Sequence, residues 1–323
     1  MTQTKTIGVV TTGGDAPGMN AAIRALTRVA YSKGCHVLGY ERGWEGLITD
    51  TFRHLTPRSV GGIIQLGGTI LHTARCPEFK TSIGLKKATE NLNKDHVDGL
   101  VVIGGDGSFR GALELGKSSN TQMVGIPATI DNDVYGTDET IGFDTAVNTA
   151  VMEIDKIRDT AISHERIFIV EVMGRQRGFL ALTVGISVGA EIILVPEYQC
   201  NLNKVVDILK ENARKGKRAG IIVAAEGCGK VSEIAKEIEE KTGSEVRLTI
   251  LGYVQRGGSP TARSRLLASL FAEKAVNLIC EGQSNQVVGL QNGLITSISL
   301  EESVKGNKQL PLSMLNLADM LSI

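Results

Sequence analysis

The sequence has no excess of charge of either sign: 35 lysines and arginines balance 35 aspartates and glutamates over 323 residues. That neutrality removes the electrostatic ground for nonspecific binding to nucleic acid or to an anionic membrane surface, and leaves small molecules as the expected partner class. Also missing is any apolar run of about eighteen residues. No basic segment followed by an apolar one precedes the first strand-like stretch, TIGVV at residues 6–10, so neither a membrane span nor a secretory leader is expected. Cysteine is sparse. Cys35, Cys76, Cys200, Cys228 and Cys280 are odd in number and scattered, with no CxxC pair to make a zinc or dithiol site, so a reducing cytoplasm fits best. Internal repeats, low-complexity segments and an obvious linker are absent too, which leaves domain boundaries poorly marked.

What is present is ordinary for a globular chain: 42% hydrophobic and 22% charged residues, over a length that suits two lobes with separate cores. Short β-rich runs alternate with amphipathic stretches: TIGVV, CHVLGY, GLVVIGG, QMVGIP, RIFIVEV, EIILVP, GIIVAAEG and RLTILGY. This rhythm predicts an α/β fold of two lobes, each a mainly parallel sheet flanked by helices. Phe143, Ala146, Val147, Ala150, Val151, Ile154, Ile157 and Ala161 recur at spacings of three and four, which predicts one long helix with a single buried face.

In open parallel sheets ligands bind beyond the carboxyl ends of strands. Three post-strand turns stand out. In TTGGDAPGMN, Gly13 and Gly14 let the backbone approach a ligand, Pro17 suits the first turn of the next helix, and phosphate can sit on that helix N-terminus; a tight turn capped by Asp15 is the plainer alternative. In GGDGS, Gly104 to Ser108, successive glycines free N–H groups for phosphate oxygens and Asp106 offers a carboxylate to magnesium, although such glycines also serve merely to pack a helix on a strand.

The third turn opens a stretch without a single cation. Residues 126–146, IPATIDNDVYGTDETIGFDTA, hold four aspartates and one glutamate, and no lysine, arginine or histidine. Two carboxylates about 6 Å apart repel by roughly 3 kcal/mol at an effective dielectric near 20, so either the segment is well solvated or positive charge is brought to it. Pro127 is expected to stop the preceding strand; if the segment then stays extended, Asp131 and Asp133 face one way and Asn132 the other. Paired carboxylates beside a glycine loop suit phosphoryl transfer, while a solvated cluster of Asx turns is the competing reading.

TTGGDAPGMNAAIR, VVIGGDGS, TIDNDVYGTDETIGFDTA, EVMGR and LGYVQRGGSP, in this order and spacing, resemble the bacterial, ATP-dependent type of 6-phosphofructokinase from about residue 5 to residue 292. The resemblance implies phosphoryl transfer from magnesium ATP to the 1-hydroxyl of fructose 6-phosphate, in the cytoplasm, by a homotetramer. Asp131 would be the base that takes the hydroxyl proton, Thr129 would lie beside the transferred group, Arg175 would be a cation near it, Asp106 would bear the magnesium, and Asp133 would be a second acid near the metal. Gly14, Arg75, Cys76, Gly107, Ser108 and Phe109 match nucleotide positions. Met173, Gly174, Glu226, Tyr253 and Arg256 match sugar-phosphate contacts, as do Arg166 and Arg247, which the resemblance places as reaching in from a neighbouring subunit. The planar fork of arginine suits such phosphate contacts. A lobe of residues 1–141 plus 256–305 would bind nucleotide, and one of 142–255 plus 306–323 would bind sugar phosphate.

Arg24, Arg28, Arg58, Arg158, Lys215, Lys217 and Arg218, with Glu191 at a metal position, match a basic pocket for ADP or phosphoenolpyruvate as effector; arginines at i, i+4 are also common on a solvated face. The chain departs from the pattern at Tyr253, where the family usually has histidine, at Ala128, where ATP users have glycine, at Glu41, where an aromatic flanks adenine and Tyr40 and Trp44 stand nearby, and at Ala219, a histidine of the effector pocket. Gly107 leaves room for a nucleotide's α-phosphate where pyrophosphate users carry aspartate, which favours ATP over a pyrophosphate-dependent enzyme. A lipid or NAD kinase shares the GGDG-type loop but not TIDND, MGR and QRGGSP; a silent sugar-phosphate-binding subunit conflicts with Asp106, Thr129, Asp131 and Arg175 all being present.

Overall fold

The structure is a computed structural model that describes residues 4–198 and 201–321; Cys200 lies outside the described residues. Two compact units divide the chain: residues 1–145 with 256–308, and residues 146–255 with 309–323. The strands are β1 (Thr6–Thr11), β2 (His36–Tyr40), β3 (Phe52–Leu55), β4 (Gly99–Gly104), β5 (Gln122–Thr129), β6 (Ile141–Gly142), β7 (Ile167–Val172), β8 (Ile192–Leu194), β9 (Gly220–Ala225), β10 (Val246–Ile250), β11 (Gln286–Gln291) and β12 (Leu294–Ser299).

The first unit is built on a sheet in the order β12-β11-β5-β4-β1-β2-β3, with β6 paired to the end of β5. β1 runs parallel to both β2 and β4, so the order reverses beside β1, where a doubly wound sheet opens its crevice. β1, β4 and β5 are buried almost from end to end and mostly apolar, as expected of strands covered on both faces. Tyr40, Trp44, Phe79, Leu92, Leu100 and Phe109 lie in one core cluster on this sheet.

Two local expectations fail. β5 continues through Pro127 to Thr129. The β11 pairing ends at Gly125, so the missing N–H of Pro127 breaks no bond to β11, while the strand stays in register with β4 through Gly104 opposite Pro127. Pro17 also falls outside its helix, which spans Met19–Ser32 behind the left-handed cap Gly18, and Asp15 caps nothing there.

The second unit carries a sheet in the order β10-β7-β9-β8, parallel throughout. Its core joins Ile167, Ile169, Ile222, Ala224, Ile238 and Val246. The predicted long helix spans Phe143–His164; its first three residues belong to the first unit and the rest to the second. Ala146, Val147, Ala150, Ile154 and Ala161 are buried, which is the face its periodicity required.

Candidate active site

Three turns at the carboxyl ends of β1, β4 and β5 meet in the first unit. The Ser108 hydroxyl donates to the Thr12 carbonyl at 3.1 Å and so ties the β4 turn to the β1 turn. A methyl group on Gly104 would stand 2.6 Å from that carbonyl and 2.4 Å from Ser108 Oγ, closer than side chains approach, so the contact requires glycine. Gly105 lies against Thr129, with 3.5 Å from an ideal Cβ to the threonine Cβ. Thr73 donates to the Gly13 carbonyl at 2.9 Å and brings in the loop that carries exposed Arg75 and half-buried Cys76. The result is a glycine-lined cradle at the N-terminus of the helix Asp106–Gly116, a geometry that favours phosphate oxygens.

Asp106 opens that helix and pairs with Arg110 at 2.9 Å, one turn on. Gly107 is exposed, and a Cβ there meets nothing within 4 Å. The Phe109 ring is wholly buried against Gly125, so of this expected nucleotide residue only the main chain is available to a ligand. Tyr40 and Trp44 offer no face to a base either: Tyr40 is buried with its hydroxyl on Asp95 at 2.7 Å, and Trp44 stacks on Phe79 at 4.2 Å. Glu41 pairs with Arg53. The Arg256 guanidinium lies over Gly14, close enough to overlap any side chain added there, and stands 3.9 Å from Asp15.

The acidic stretch is neither extended nor merely solvated. Asp131 and Asn132 are buried, and Asn132 is left-handed at φ 52°, so the strand-like alternation that would have aligned Asp131 with Asp133 does not occur. Asp131 N–H donates to Thr129 Oγ1 at 3.2 Å, and the Thr140 hydroxyl donates to the Thr129 carbonyl at 2.6 Å. Asn132 Oδ1 accepts from Thr140 N–H at 3.1 Å while its amide donates to the Asp138 carbonyl at 3.1 Å. Positive charge comes from residues distant in sequence. Both Nε and an Nη of Arg263 reach Glu139 Oε2 at 2.8 Å, and Lys308 Nζ donates to Asn132 Oδ1 at 2.8 Å and to the Asp138 carbonyl at 3.1 Å. Burial pushes the Lys308 ammonium down to about 8, against the opposing pull of Asp138, Asp133 and Glu139. These two cations were not anticipated, because both lie outside the quoted motifs and far in sequence from the carboxylates they meet.

In the second unit the carboxyl ends of β7 and β9 carry Met173, Gly174, Arg175 and Glu226, whereas Arg166 and Arg247 lie at the amino ends of β7 and β10, at the other end of the same parallel sheet. Gly174 at φ 136° and Arg175 at φ 52° turn the chain sharply after β7, and Arg175 N–H donates to Glu226 Oε1 at 2.6 Å. Met173 N–H donates to the side-chain oxygen of fully buried Gln255, another residue that the sequence did not flag. Burial raises the Glu171 carboxyl, and the charge of Glu226 adds to it. Arg166 and Arg247 converge on one carboxylate: Arg166 Nε lies 2.6 Å from Glu245, and Arg247 pairs with the other oxygen. The hydrogen bond from Arg166 holds Glu245 below the usual carboxylate range. Tyr253 is 79% exposed.

Of the expected effector residues, Arg24, Arg28 and Arg58 lie in the first unit and the rest in the second. Arg28 donates to the Pro57 carbonyl at 3.4 Å, and Arg158 to the Val188 carbonyl. Glu191 is buried; it accepts from Ile221 N–H at 2.6 Å and pairs with Lys217 at 3.0 Å. Glu191, Asn212, Lys217, Arg218 and Ala219 line a small cavity there. Lys215 pairs with Glu211 and Arg218 with Glu165.

Among the described residues no cluster of three or more histidine, cysteine or acidic side chains is placed to hold a metal, and no helix is long and apolar enough to cross a membrane. Asp106 and Thr129 beside the cradle, and Asp133 in the acidic loop, offer only oxygen donors, the kind that magnesium prefers, and too few to hold it without further ligands such as a nucleotide's phosphates.

Residues 6–279 match the family model described as phosphofructokinase. Over 319 residues the chain is 51% identical to the ATP-dependent 6-phosphofructokinase of Lysinibacillus sphaericus, covering 99% of this chain and 100% of that one. It is 50% identical, with the same coverage, to the enzyme of that name from Halalkalibacterium halodurans. Among solved structures, the phosphofructokinase of Saccharomyces cerevisiae superposes with a TM-score of 0.88 at 36% identity over 99% of this chain, which spans only 48% of the yeast chain. A family model matched over most of the chain, and relatives half identical along their whole length, agree with the glycine cradle and the acidic loop: this chain belongs to the phosphofructokinase family.

Proposed function

We propose that this protein is an ATP-dependent 6-phosphofructokinase that transfers the γ-phosphoryl group of ATP to the 1-hydroxyl of fructose 6-phosphate, giving fructose 1,6-bisphosphate and ADP. The observation that carries this reading is the meeting of a phosphate cradle, Thr129 and buried Asp131 at the ends of three adjacent parallel strands. In this role the first unit takes the nucleotide, and the residues assigned to the sugar phosphate belong to the second unit except Arg256 and the catalytic Thr129 and Asp131.

Asp131 accepts the proton of the 1-hydroxyl as the oxygen attacks phosphorus, and the Thr129 hydroxyl donates to the transferred group. Asp106 would hold magnesium, with Asp133 a second acid near it; when bound, the metal neutralises charge on the phosphate oxygens. Gly14, Arg75, Cys76, Gly107, Ser108 and the main chain of Phe109 position the nucleotide, and Arg175 spreads the charge that develops on the phosphoryl oxygens. Met173, Gly174, Glu226, Tyr253 and Arg256 contact the sugar phosphate. Arg166 and Arg247 do so across a subunit boundary, exchanging Glu245 for the ligand's phosphate, and the working enzyme is a cytoplasmic homotetramer. Arg24, Arg28, Arg58, Arg158, Glu191, Lys215, Lys217 and Arg218 bind ADP or phosphoenolpyruvate as effector.

Aldolase-coupled NADH oxidation with fructose 6-phosphate, magnesium and either ATP, GTP or pyrophosphate tests the reading. Turnover is expected with ATP, and Asp131→Asn should lower kcat by at least ~10²-fold in a folded protein. Turnover with pyrophosphate alone would overturn the choice of donor. Sugar-phosphate binding without turnover by any donor would mark a silent subunit instead.

A further inference from the structure

Lys308 is the one cation in hydrogen-bond contact with Asn132, the residue between the two aspartates that the proposed reaction uses, among the described hydrogen bonds. Its amino group closes a ring of contacts: Nζ to Asn132 Oδ1 at 2.8 Å and to the Asp138 carbonyl at 3.1 Å, with the Asn132 amide on that same carbonyl at 3.1 Å. A second link returns from Asn132 through Thr140 N–H at 3.1 Å and the Thr140 hydroxyl at 2.6 Å to Thr129, whose own hydroxyl receives Asp131 N–H at 3.2 Å. Asn132 is held left-handed, a conformation open to asparagine but seldom kept without support. Only a donor-rich cation can satisfy both acceptors and offset the carboxylates around them; methionine or leucine would leave Asn132 Oδ1 with one donor and the Asp138 carbonyl with only the Asn132 amide.

We propose that Lys308 is a positioning residue for phosphoryl transfer, fixing through Asn132 and Asp138 the turn that aims the Asp131 and Asp133 carboxylates. This rests on the reading of the site as a phosphofructokinase active site, but the lock itself can be observed without turnover. Lys308 is assigned no part in the bond-making chemistry in this role. It acts on the geometry of groups that take part, and a displacement of about 1 Å at such groups costs up to ~10²-fold in rate.

The test uses the full-length protein and K308M, K308Q and K308R, with wild-type turnover of ATP and fructose 6-phosphate measured first. K308M and K308Q should lose about ten- to a hundred-fold in kcat, with KM for both substrates within about two-fold, and K308R should recover much of the loss by restoring a donor cation. Hydrogen exchange of the peptide covering residues 129–142 should speed up in K308M and K308Q and return towards wild type in K308R. A folded K308Q with wild-type kcat, or a loss of kcat without faster exchange in that peptide, would overturn the proposal. An inactive wild type would sink the phosphofructokinase reading alone, and faster exchange in K308Q would still establish the lock.

Discussion

Gly107→Asp should separate stability from nucleotide binding, because the structure gives the two effects opposite signs. Gly107 is the second residue of the helix Asp106–Gly116, exposed, with open space around an added Cβ. A side chain there costs no repacking. Replacing glycine in a helix gains about 0.5–1 kcal/mol, and an aspartate in the first turn gains about 0.3–1 kcal/mol from the helix dipole. The folded protein should therefore melt no lower than wild type. On the proposed placement of the nucleotide, however, the new carboxylate would stand beside its phosphates. At a separation of about 5 Å and an effective dielectric near 20 it repels a single phosphate charge by about 3 kcal/mol, and partial neutralisation by magnesium lowers that to about 1.5–3 kcal/mol. KM for ATP should rise by about ten- to a hundred-fold while KM for fructose 6-phosphate stays within about two-fold. Coupled-assay kinetics over an ATP titration, beside a thermal melt of the same preparations, measures both. A variant of normal melting point whose ATP KM stays within two-fold would refute the placement of phosphate at this turn.

Other expectations are independent of that one. Tyr253→His puts a chargeable ring at an exposed position and should lower KM for fructose 6-phosphate several-fold below neutral pH, with kcat nearly unchanged; an unchanged KM at pH 6 would remove the residue from the phosphate site. Lys308 titrates near 8 when folded and near 10.5 when unfolded, so between those values the unfolded chain binds more protons and this group's contribution to stability rises with pH. In metal-free buffer, wild type should gain about 1 kcal/mol on K308M between about pH 7.5 and pH 9, measured by denaturant unfolding; parallel pH curves would show that the ammonium is not desolvated. Burial and the neighbouring Cys280 raise the Cys35 thiol from 9.0 to about 11, which leaves about one thiolate in a thousand at pH 8. Alkylation followed by peptide mass spectrometry should find Cys35 labelled at least ten-fold more slowly than Cys76, and equal rates would contradict its burial.

The parallel strands were legible because burial on both faces writes them as short, mostly apolar runs, and the long helix because its apolar residues recur on one face. β3 was missed, a four-residue edge strand with only Leu55 buried. The hairpin of β11 and β12 was passed over although it carries a signal: Asn292 and Gly293 at its tip have φ values of 51° and 81°, the pair of left-handed residues that a type I′ turn requires. The glycine cradle could be read from residue types, since close approach leaves glycine as the sole choice at Gly104. The acidic loop could not be read completely. Its charges are local in sequence, but Arg263 and Lys308 stand 124 and 176 residues from Glu139 and Asn132, and a lone lysine or arginine gives no local hint of its partner. The inward packing of the Phe109, Tyr40 and Trp44 rings was not legible for a related reason: an aromatic near a ligand motif looks alike whether its ring packs inwards or faces the ligand.

The same separation sets an order of events on the ribosome. Strands β1, β4 and β5 and both glycine turns are synthesised within the first 130 residues or so, and can pair as soon as they emerge. The acidic loop emerges next without its counterions. Asp138 waits for the main chain at Leu290 and Asn292, Glu139 for Arg263, and Asn132 for Lys308, so more than 150 further residues must be translated before the last of these contacts can form. A nascent chain stalled short of residue 308 would have the cradle but not the finished turn beside it. The acidic turn is therefore completed late in synthesis, after its scaffold, and the closing step is a long-range one that folding reaches slowly.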